Sequence, residues 1–300
     1  MTTTLLAHIE GIGFWSRGLP SWDAARTHAA DGTLAADAPS RPSPQLLPAN
    51  ERRRAPDTVA VALDVAMAAC LDAGRDPATL PSVFTSTHGD LGITDYMCAT
   101  LAGDPLALSP TRFHNSVHNA AAGYWTIGTG AMAPASAISA REASFAQGLL
   151  DALAQLASGD EAVLLVAYDG QAAGPLARMA PSDGLLGGAL VLSRQSRRAG
   201  TLLSAQLVAR GSRDEAPGPL AKLVADNAMA QMLPLFDVLA RGHGNARLVA
   251  GPEHDLLVEI TAVAGLPLDV SAESRESIVI GGTLIESTVI ESTSLEGAHA

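Results

Sequence analysis

Two histidines, His114 and His118, are the first residues whose type and spacing suggest chemistry. They stand four residues apart around the start of a predicted helix, so both can face the same side and imitate a metal-binding pair. No acidic side chain stands beside them as a third ligand. We therefore predict that these histidines pack in the protein, and we expect no metal site and no cofactor.

Three other sequence patterns do not match a known binding or catalytic motif. Gly11 and Gly13 follow a predicted strand, but Gly18 stands at the wrong distance for a dinucleotide-binding fingerprint. The turn at residues 139–144 contains two serines but lacks the Gly-x-Ser-x-Gly elbow of serine hydrolases. The two cysteines, at positions 70 and 98, are too few for a disulfide framework or a tetrahedral metal site. We expect both to be buried thiols in a reducing compartment.

The composition is that of a globular chain with a substantial core. The 300 residues are 47% hydrophobic and 17% charged. The formal net charge of -12 argues against nucleic acid and anionic membrane surfaces as partners. No uninterrupted run of apolar residues is long enough for a membrane span, and the first residues lack the pattern of an export signal. These features predict a cytoplasmic protein.

The hydrophobic pattern alternates between helices and strands. Helices are predicted at residues 58–73, 116–128, 145–157 and 220–240, and strands at residues 4–9, 81–87, 162–168 and 256–261. Residues 188–194 and 201–210 are predicted to form a hairpin at one edge of the sheet, and residues 10–45 a long surface loop. Such alternation favours a layered α/β domain.

The segment that leads into one of these helices carries a family motif. Residues 109–169 resemble the nucleophile-bearing half of β-ketoacyl-acyl carrier protein synthases, which have the thiolase fold. In that family a Ser-Val-x-Asn-x-x-x-Gly helix precedes a Gly-Pro turn, a strand and a catalytic cysteine at the start of a buried helix. The matching positions here are Ser116, Val117, Asn119, Gly123 and Pro134.

The resemblance covers about residues 5–210 and implies an architecture. The expected fold is a single thiolase-like half-fold, layered α/β/α, with a mixed five-stranded sheet. We assign residues 1–264 to this ketosynthase-like N-terminal domain and residues 265–300 to a C-terminal tail of unknown role.

Two shorter segments resemble one particular subgroup of this family. VFTSTHGDLG and LSPTRFHNSVHNAAAG are similar to truncated ketosynthase-like proteins of bacterial aryl polyene pathways, which accompany a complete synthase as chain-length-factor-like subunits. This resemblance implies a heterodimer with a full-length β-ketoacyl synthase, in polyene or fatty-acid-type biosynthesis, with acyl carrier protein as a further partner.

The chain departs from the family at the catalytic positions. A direct register places Glu142 where the family has its nucleophilic cysteine. A carboxylate at a helix start is a stabilised anion and a weak acyl acceptor. The sequence also lacks a His-Gly-Thr-Gly-Thr segment, and His243 and His254 stand in other contexts. We therefore predict no catalytic residue in this chain.

Two groups of residues remain as candidate contacts. By the resemblance, Arg112, Phe113, Ser116 and Asn119 belong to the dimer interface and acyl channel. A bulky side chain at such a crossing limits product length because overfilling a packed tunnel is unfavourable. Phe113 is the main candidate, with plain interface burial as the alternative. The basic run 52–54, formed by Arg52, Arg53 and Arg54, is either a solvated loop or a contact for an acidic carrier protein.

Two other functions stay open at this point. The first is a stand-alone malonyl decarboxylase-like enzyme that uses Glu142, as related decarboxylating synthase domains use glutamine. The second is a homodimeric acyl-binding scaffold without a synthase partner.

Overall fold

The computed structural model describes residues 3–195, 200–211 and 216–263. The strands are β1 (Thr4–Ser16), β2 (Ser82–Thr85), β3 (Ala135–Ile138), β4 (Ala162–Asp169), β5 (Leu186–Ser193), β6 (Gly200–Ala209), β7 (Gly244–Val249) and β8 (His254–Val263). The helices are α1 (Trp22–Asp31), α2 (Ala49–Arg52), α3 (Asp57–Ala73), α4 (Leu91–Gly103), α5 (Pro110–His114), α6 (Ala120–Thr129), α7 (Ser144–Ser158), α8 (Pro219–Leu223) and α9 (Leu233–Arg241).

The strands of this part of the chain form one mixed sheet in the order β3-β2-β4-β5-β1-β6-β8-β7. Strand β2 pairs in parallel with β3 and β4, and the other pairs are antiparallel. The predicted α/β class is confirmed. The predicted number of five strands is wrong, because β6, β8 and β7 extend the sheet beyond β1 to eight strands.

The predicted hairpin of β5 and β6 is also wrong. Both strands pair with β1, which lies between them, so that His8 is opposite Ser193 on one side and Leu202 on the other. The two strands therefore occupy the middle of the sheet. Their closeness in sequence suggested direct pairing, whereas a strand from the start of the chain separates them.

Strand β1 continues through the residues that were predicted to begin a surface loop. A Cβ atom at Gly13 would lie 2.0 Å from the carbonyl oxygen of Val65, so helix α3 packs directly on the strand backbone. Helix α1 occupies a further part of the predicted loop. It begins after Ser21, whose hydroxyl accepts a hydrogen bond from the Ala24 amide, and ends at Gly32 with φ of 80°.

The single helix predicted at residues 220–240 is divided in the structure. Helices α8 and α9 are separated by a 3-10 helix at Ala228–Met232. Pro234 lies in the first turn of α9. Proline lacks an amide hydrogen and is unfavourable inside a helix but suits its first turn, which explains the interruption.

Helices cover both faces of the sheet. Trp125 of α6 and Leu63 of α3 belong to the core on one face. On the other face the rings of Phe145 in α7 and Phe236 in α9 lie 6.4 Å apart, within a core that also includes Ala25 of α1. No helix among the described residues is both long and apolar enough to span a membrane. The proposed tail, residues 265–300, lies outside the described residues.

Candidate functional site

The predicted nucleophile position lies in a turn between β3 and α7. This turn contains a 3-10 helix at Arg141–Ala143. The Ser144 hydroxyl accepts a hydrogen bond from the Ala140 amide at 2.9 Å and donates one to the Arg141 carbonyl at 2.7 Å. Arg141, with φ of 55°, is the only non-glycine residue of the described segments in the left-handed region. Backbone strain of this kind is often found at functional turns. We call this turn before α7, residues 139–144, the elbow.

Glu142 is held by an arginine that is distant in sequence. Its Oε1 lies 3.4 Å from Nη1 of Arg210, with the side chains 55% and 38% exposed. The same Nη1 donates to the carbonyls of Gly251 and Pro252 at 3.3 Å. Gln147 of α7 donates to the Ala250 carbonyl at 2.5 Å. The turn between β7 and β8 therefore contacts the first turns of α7 directly and is linked to Glu142 through Arg210.

This geometry presents Glu142 as an ion-paired carboxylate at the surface. A carboxylate is a weak acyl acceptor, and this one is already ion-paired with a guanidinium. The placement of Glu142 at the family's cysteine position stays a prediction.

The predicted interface residues lie together around α5 and the start of α6. The Arg112 guanidinium is stacked over the Tyr96 ring of α4, 4.0 Å from its centroid. The Ser116 hydroxyl donates to the Phe113 carbonyl at 2.8 Å. Asn119 precedes α6 and is exposed, and the Phe113 side chain is 60% exposed. Their roles at a dimer interface and acyl channel stay predictions.

A large apolar surface surrounds these residues. Helix α4 has no buried residue, and it contacts the following segment, where the Tyr96 hydroxyl accepts a hydrogen bond from the Ser109 amide. We call the solvent-facing side of residues 91–132, which include α4, α5 and α6, the 91–132 surface. Its exposed large apolar side chains are Leu101, Leu106, Phe113, Val117, Ile127 and Met132. Strand β3, which follows Met132, pairs with β2 alone and ends the sheet.

The two histidines have separate neighbours. The His114 ring packs edge-on against Tyr124 at 6.0 Å. His118 Nε2 lies 2.9 Å from the carbonyl oxygen of Ser86. Across the described ranges, no group of three or more His, Cys, Asp or Glu residues is arranged to hold a metal. The histidines thus contact different partners.

The three arginines of the basic run differ in their contacts. Arg52 donates to the Leu47 carbonyl, Arg53 is hydrogen bonded to Asn50, and Arg54 is exposed. Leu46, which lies in the segment before the basic run, packs close to Gly128 of α6. The basic run therefore follows a segment that lies beside the 91–132 surface.

One buried carboxylate was not predicted from the sequence, and one cysteine is exposed where burial was predicted. Asp169 is fully buried at the end of β4, and its signal was a charged residue directly after the apolar run AVLLVAY. Cys70 is buried as predicted, whereas Cys98 on α4 is exposed. The prediction for Cys98 failed because α4 is an apolar helix in which no residue is fully buried.

Comparison with known proteins places this arrangement in a family. The model of the family described as "Beta-ketoacyl synthase, N-terminal domain" matches residues 22–251. No curated protein matches the sequence.

Three solved structures share the fold at low sequence identity. A ketosynthase in complex with its chain length factor from Xenorhabdus doucetiae has a TM-score of 0.66 and 23% identity, and the match covers 85% of this chain and 99% of that chain. The ishigamide ketosynthase/chain length factor has a TM-score of 0.67 and 15% identity, with 87% and 100% covered. A type II acyl-carrier protein in complex with its ketosynthase has a TM-score of 0.61 and 12% identity, with 87% and 100% covered.

The likeness to these structures shows the fold, and the family match spans most of the chain. The protein therefore belongs to the β-ketoacyl synthase N-terminal domain family.

Proposed function

We propose that this chain is a non-catalytic, chain-length-factor-like subunit. It pairs with a complete β-ketoacyl synthase and helps to shape the acyl channel of that partner in polyene or fatty-acid-type biosynthesis. The proposal agrees with the resemblance to aryl polyene proteins and with solved relatives that are ketosynthases in complex with chain length factors.

The observation that carries this proposal is the 91–132 surface. Both faces of the sheet are covered by the chain's own helices, yet no residue of α4 is fully buried and the segment after it exposes large apolar side chains, with Leu106 95% and Met132 94% accessible. Apolar groups of this size in one region mark a protein interface. The exposed Phe113 ring lies within it, at the position that the family resemblance assigns to the partner's acyl channel.

Two features support a role without catalysis. By the family resemblance, Glu142 takes the position of the cysteine in the elbow, and Arg210 pairs with that carboxylate. The decarboxylating step of a synthase needs histidines that stabilise the enolate, and the sequence lacks the segment that supplies them in the family. These features favour a supporting subunit over the decarboxylase alternative.

An acyl carrier protein is the second partner in this proposal. Arg53 and Arg54 are exposed in a chain with net charge -12. Positive side chains in such a surrounding attract an acidic carrier protein and improve the rate of association. A cytoplasmic location, which the two unpaired cysteines favour, belongs to the same proposal.

The test is co-expression with a β-ketoacyl synthase that has its cysteine and both histidines. Size-exclusion chromatography with mass measurement gives the stoichiometry, and carrier-bound substrates report elongation. We expect a one-to-one complex that elongates only when both chains are present. Phe113→Ala enlarges the channel and should give longer products. Leu71→Ala is the matched control, because Leu71 is 74% exposed on α3 and outside the 91–132 surface.

Each alternative has its own outcome in this experiment. Turnover by this chain alone that is lost in Glu142→Ala would establish the decarboxylase. A homodimer with bound lipid and no affinity for a synthase would establish the scaffold. An identical product distribution for Phe113→Ala and Leu71→Ala would reject the role of Phe113 in setting chain length.

A further inference from the structure

The loop that joins β2 to α4 is fixed by hydrogen bonds from several parts of the fold. Its residues, Ser86–Gly89, lead directly into Asp90, which caps α4 by accepting a hydrogen bond from the Ile93 amide at 2.8 Å. The Ser86 amide donates to the Ile138 carbonyl at the end of β3 at 3.2 Å. The position of this loop therefore determines where α4 begins.

Asp169 is the central acceptor for this loop. Its Oδ1 accepts hydrogen bonds from the Ser86 hydroxyl at 2.7 Å and from the His88 amide at 3.1 Å. Its Oδ2 accepts one from the Thr87 amide at 2.8 Å. Asp169 and Ser86 are both fully buried. One buried carboxylate thus binds three consecutive residues of the loop.

The same loop contacts the two regions that the proposed function uses. His118, which precedes α6, donates from Nε2 to the Ser86 carbonyl at 2.9 Å. Ser139, which precedes the elbow, donates from its hydroxyl to the Thr87 carbonyl at 3.0 Å. A displacement of the loop would therefore remove support from α4, from the start of α6 and from the elbow together.

We propose that Asp169 is a positioning residue for the 91–132 surface: it fixes the Ser86–Gly89 loop and, through it, holds α4 and His118 in the arrangement that a partner synthase binds. This inference rests on the proposed function for the identity of the partner. The positioning of the loop itself is a property of the isolated chain.

The chemistry of the site predicts the effect of Asp169→Asn. Burial raises the pKa of the Asp169 carboxyl, while the hydrogen bonds from Ser86, Thr87 and His88 lower it. An asparagine at this position has one acceptor oxygen, and its amide nitrogen would face groups that are themselves donors. At least one buried donor would lose its partner, which weakens the hold on the loop.

The experiment compares two buried aspartates by the same substitution. Asp237 is 3% exposed on α9 and accepts hydrogen bonds from the amides of Leu220 and Ala221, at the start of α8. Asp237→Asn therefore removes a similar buried acceptor away from the 86–90 loop. Hydrogen exchange of the amides of α4 and of residues 86–90 is measured in the wild type and in both variants, followed by affinity for the synthase.

We expect exchange in α4 and the loop to rise about ten-fold or more in Asp169→Asn and to stay at the wild-type rate in Asp237→Asn. Affinity for the synthase should fall about ten-fold in the first variant alone. Unchanged exchange in α4 would overturn the inference. Faster exchange with wild-type affinity would overturn the link between the loop and partner binding.

A second variant, Ser86→Ala, tests the same inference if Asp169→Asn does not fold. Ser86→Ala removes one donor to Asp169 and the acceptor of the Gly89 amide, while leaving the carboxylate in place. The same region should exchange faster, and wild-type exchange would again overturn the inference. A wild-type chain that binds no synthase would reject the proposed function, whereas the exchange rates would still decide the role of Asp169.

Discussion

At the level of single residues, the charged groups differ in how far solvent screens them. Glu142 and Arg210 are about half and one third exposed, and their ion pair is surrounded by water. Glu10 and Arg75 form a second pair in which both side chains are almost fully buried, 8% and 7% exposed, with Nε and Oε2 2.6 Å apart. The same glutamate substitution should therefore have very different effects at the two sites.

We predict that Glu142→Gln lowers the free energy of unfolding by less than about 1 kcal/mol, because exposed ion pairs contribute little. Elongation by the complex with the synthase should stay within about two-fold of the wild type, since the carboxylate has no part in the chemistry. Urea unfolding and the elongation assay measure the two effects.

The control is Glu10→Gln, which leaves Arg75 buried without its main partner and should lower the free energy of unfolding by about 3 kcal/mol. A loss of elongation in Glu142→Gln at unchanged stability and unchanged complex formation would contradict the non-catalytic interpretation. It would also give Glu142 a direct role in the reaction.

At the level of elements, the contact of α3 with β1 depends on glycine. A Cβ atom at Gly13 would lie 2.0 Å from the Val65 carbonyl oxygen, which is backbone and cannot rotate away. Gly123 in α6 differs, because a Cβ there would meet no atom within 4 Å. Packing therefore requires a glycine at position 13, whereas a substitution at position 123 should change only the intrinsic stability of the helix.

We predict that Gly13→Ala lowers the free energy of unfolding by about 3 kcal/mol or prevents folding, because α3 must move off the sheet. Gly123→Ala should leave the isolated chain as stable or raise its stability by up to about 1 kcal/mol, since alanine is the better helix former. Urea unfolding of both variants measures the difference. Equal stabilities would show that α3 is not packed on the strand backbone.

The same elements show how far the sequence could predict the fold. Helices α3 and α7 and strand β4 were predicted within about two residues, because a continuous local pattern defines them. The pairing of β1 between β5 and β6 was missed, since residues 4–16 are brought to residues 186–193 and 200–209 only by the tertiary structure. Glu142 was predicted in a turn before a helix, but Arg210, 68 residues away, was not predicted as its partner.

At the level of the whole molecule, the reactivity of the cysteines can show which part of the surface the partner covers. The sequence contains two cysteines. Burial, together with the negative charge of Asp76, raises the pKa of Cys70 to about 12, so that thiol stays protonated and shielded. Cys98 is exposed on α4. The native chain therefore offers one accessible thiol, and it lies on the 91–132 surface.

We predict that a maleimide labels Cys98 in the free chain and that the synthase slows this reaction about ten-fold or more, because thiol reactivity requires access. Mass spectrometry of the labelled wild-type chain should identify Cys98 as the modified residue. Cys98→Ser should abolish labelling. The matched control is Leu71→Cys in the Cys98→Ser background, which places an exposed thiol on α3 and should react equally fast in the free and bound states.

These rates distinguish binding through the 91–132 surface from binding elsewhere. Protection of Cys98 with no protection at position 71 means that the partner covers α4, as expected for an apolar helix without a fully buried residue. Protection at position 71 with free labelling of Cys98 would move the interface to α3. The Phe113 contact and the role of Asp169 in positioning α4 would then lose their connection to the partner.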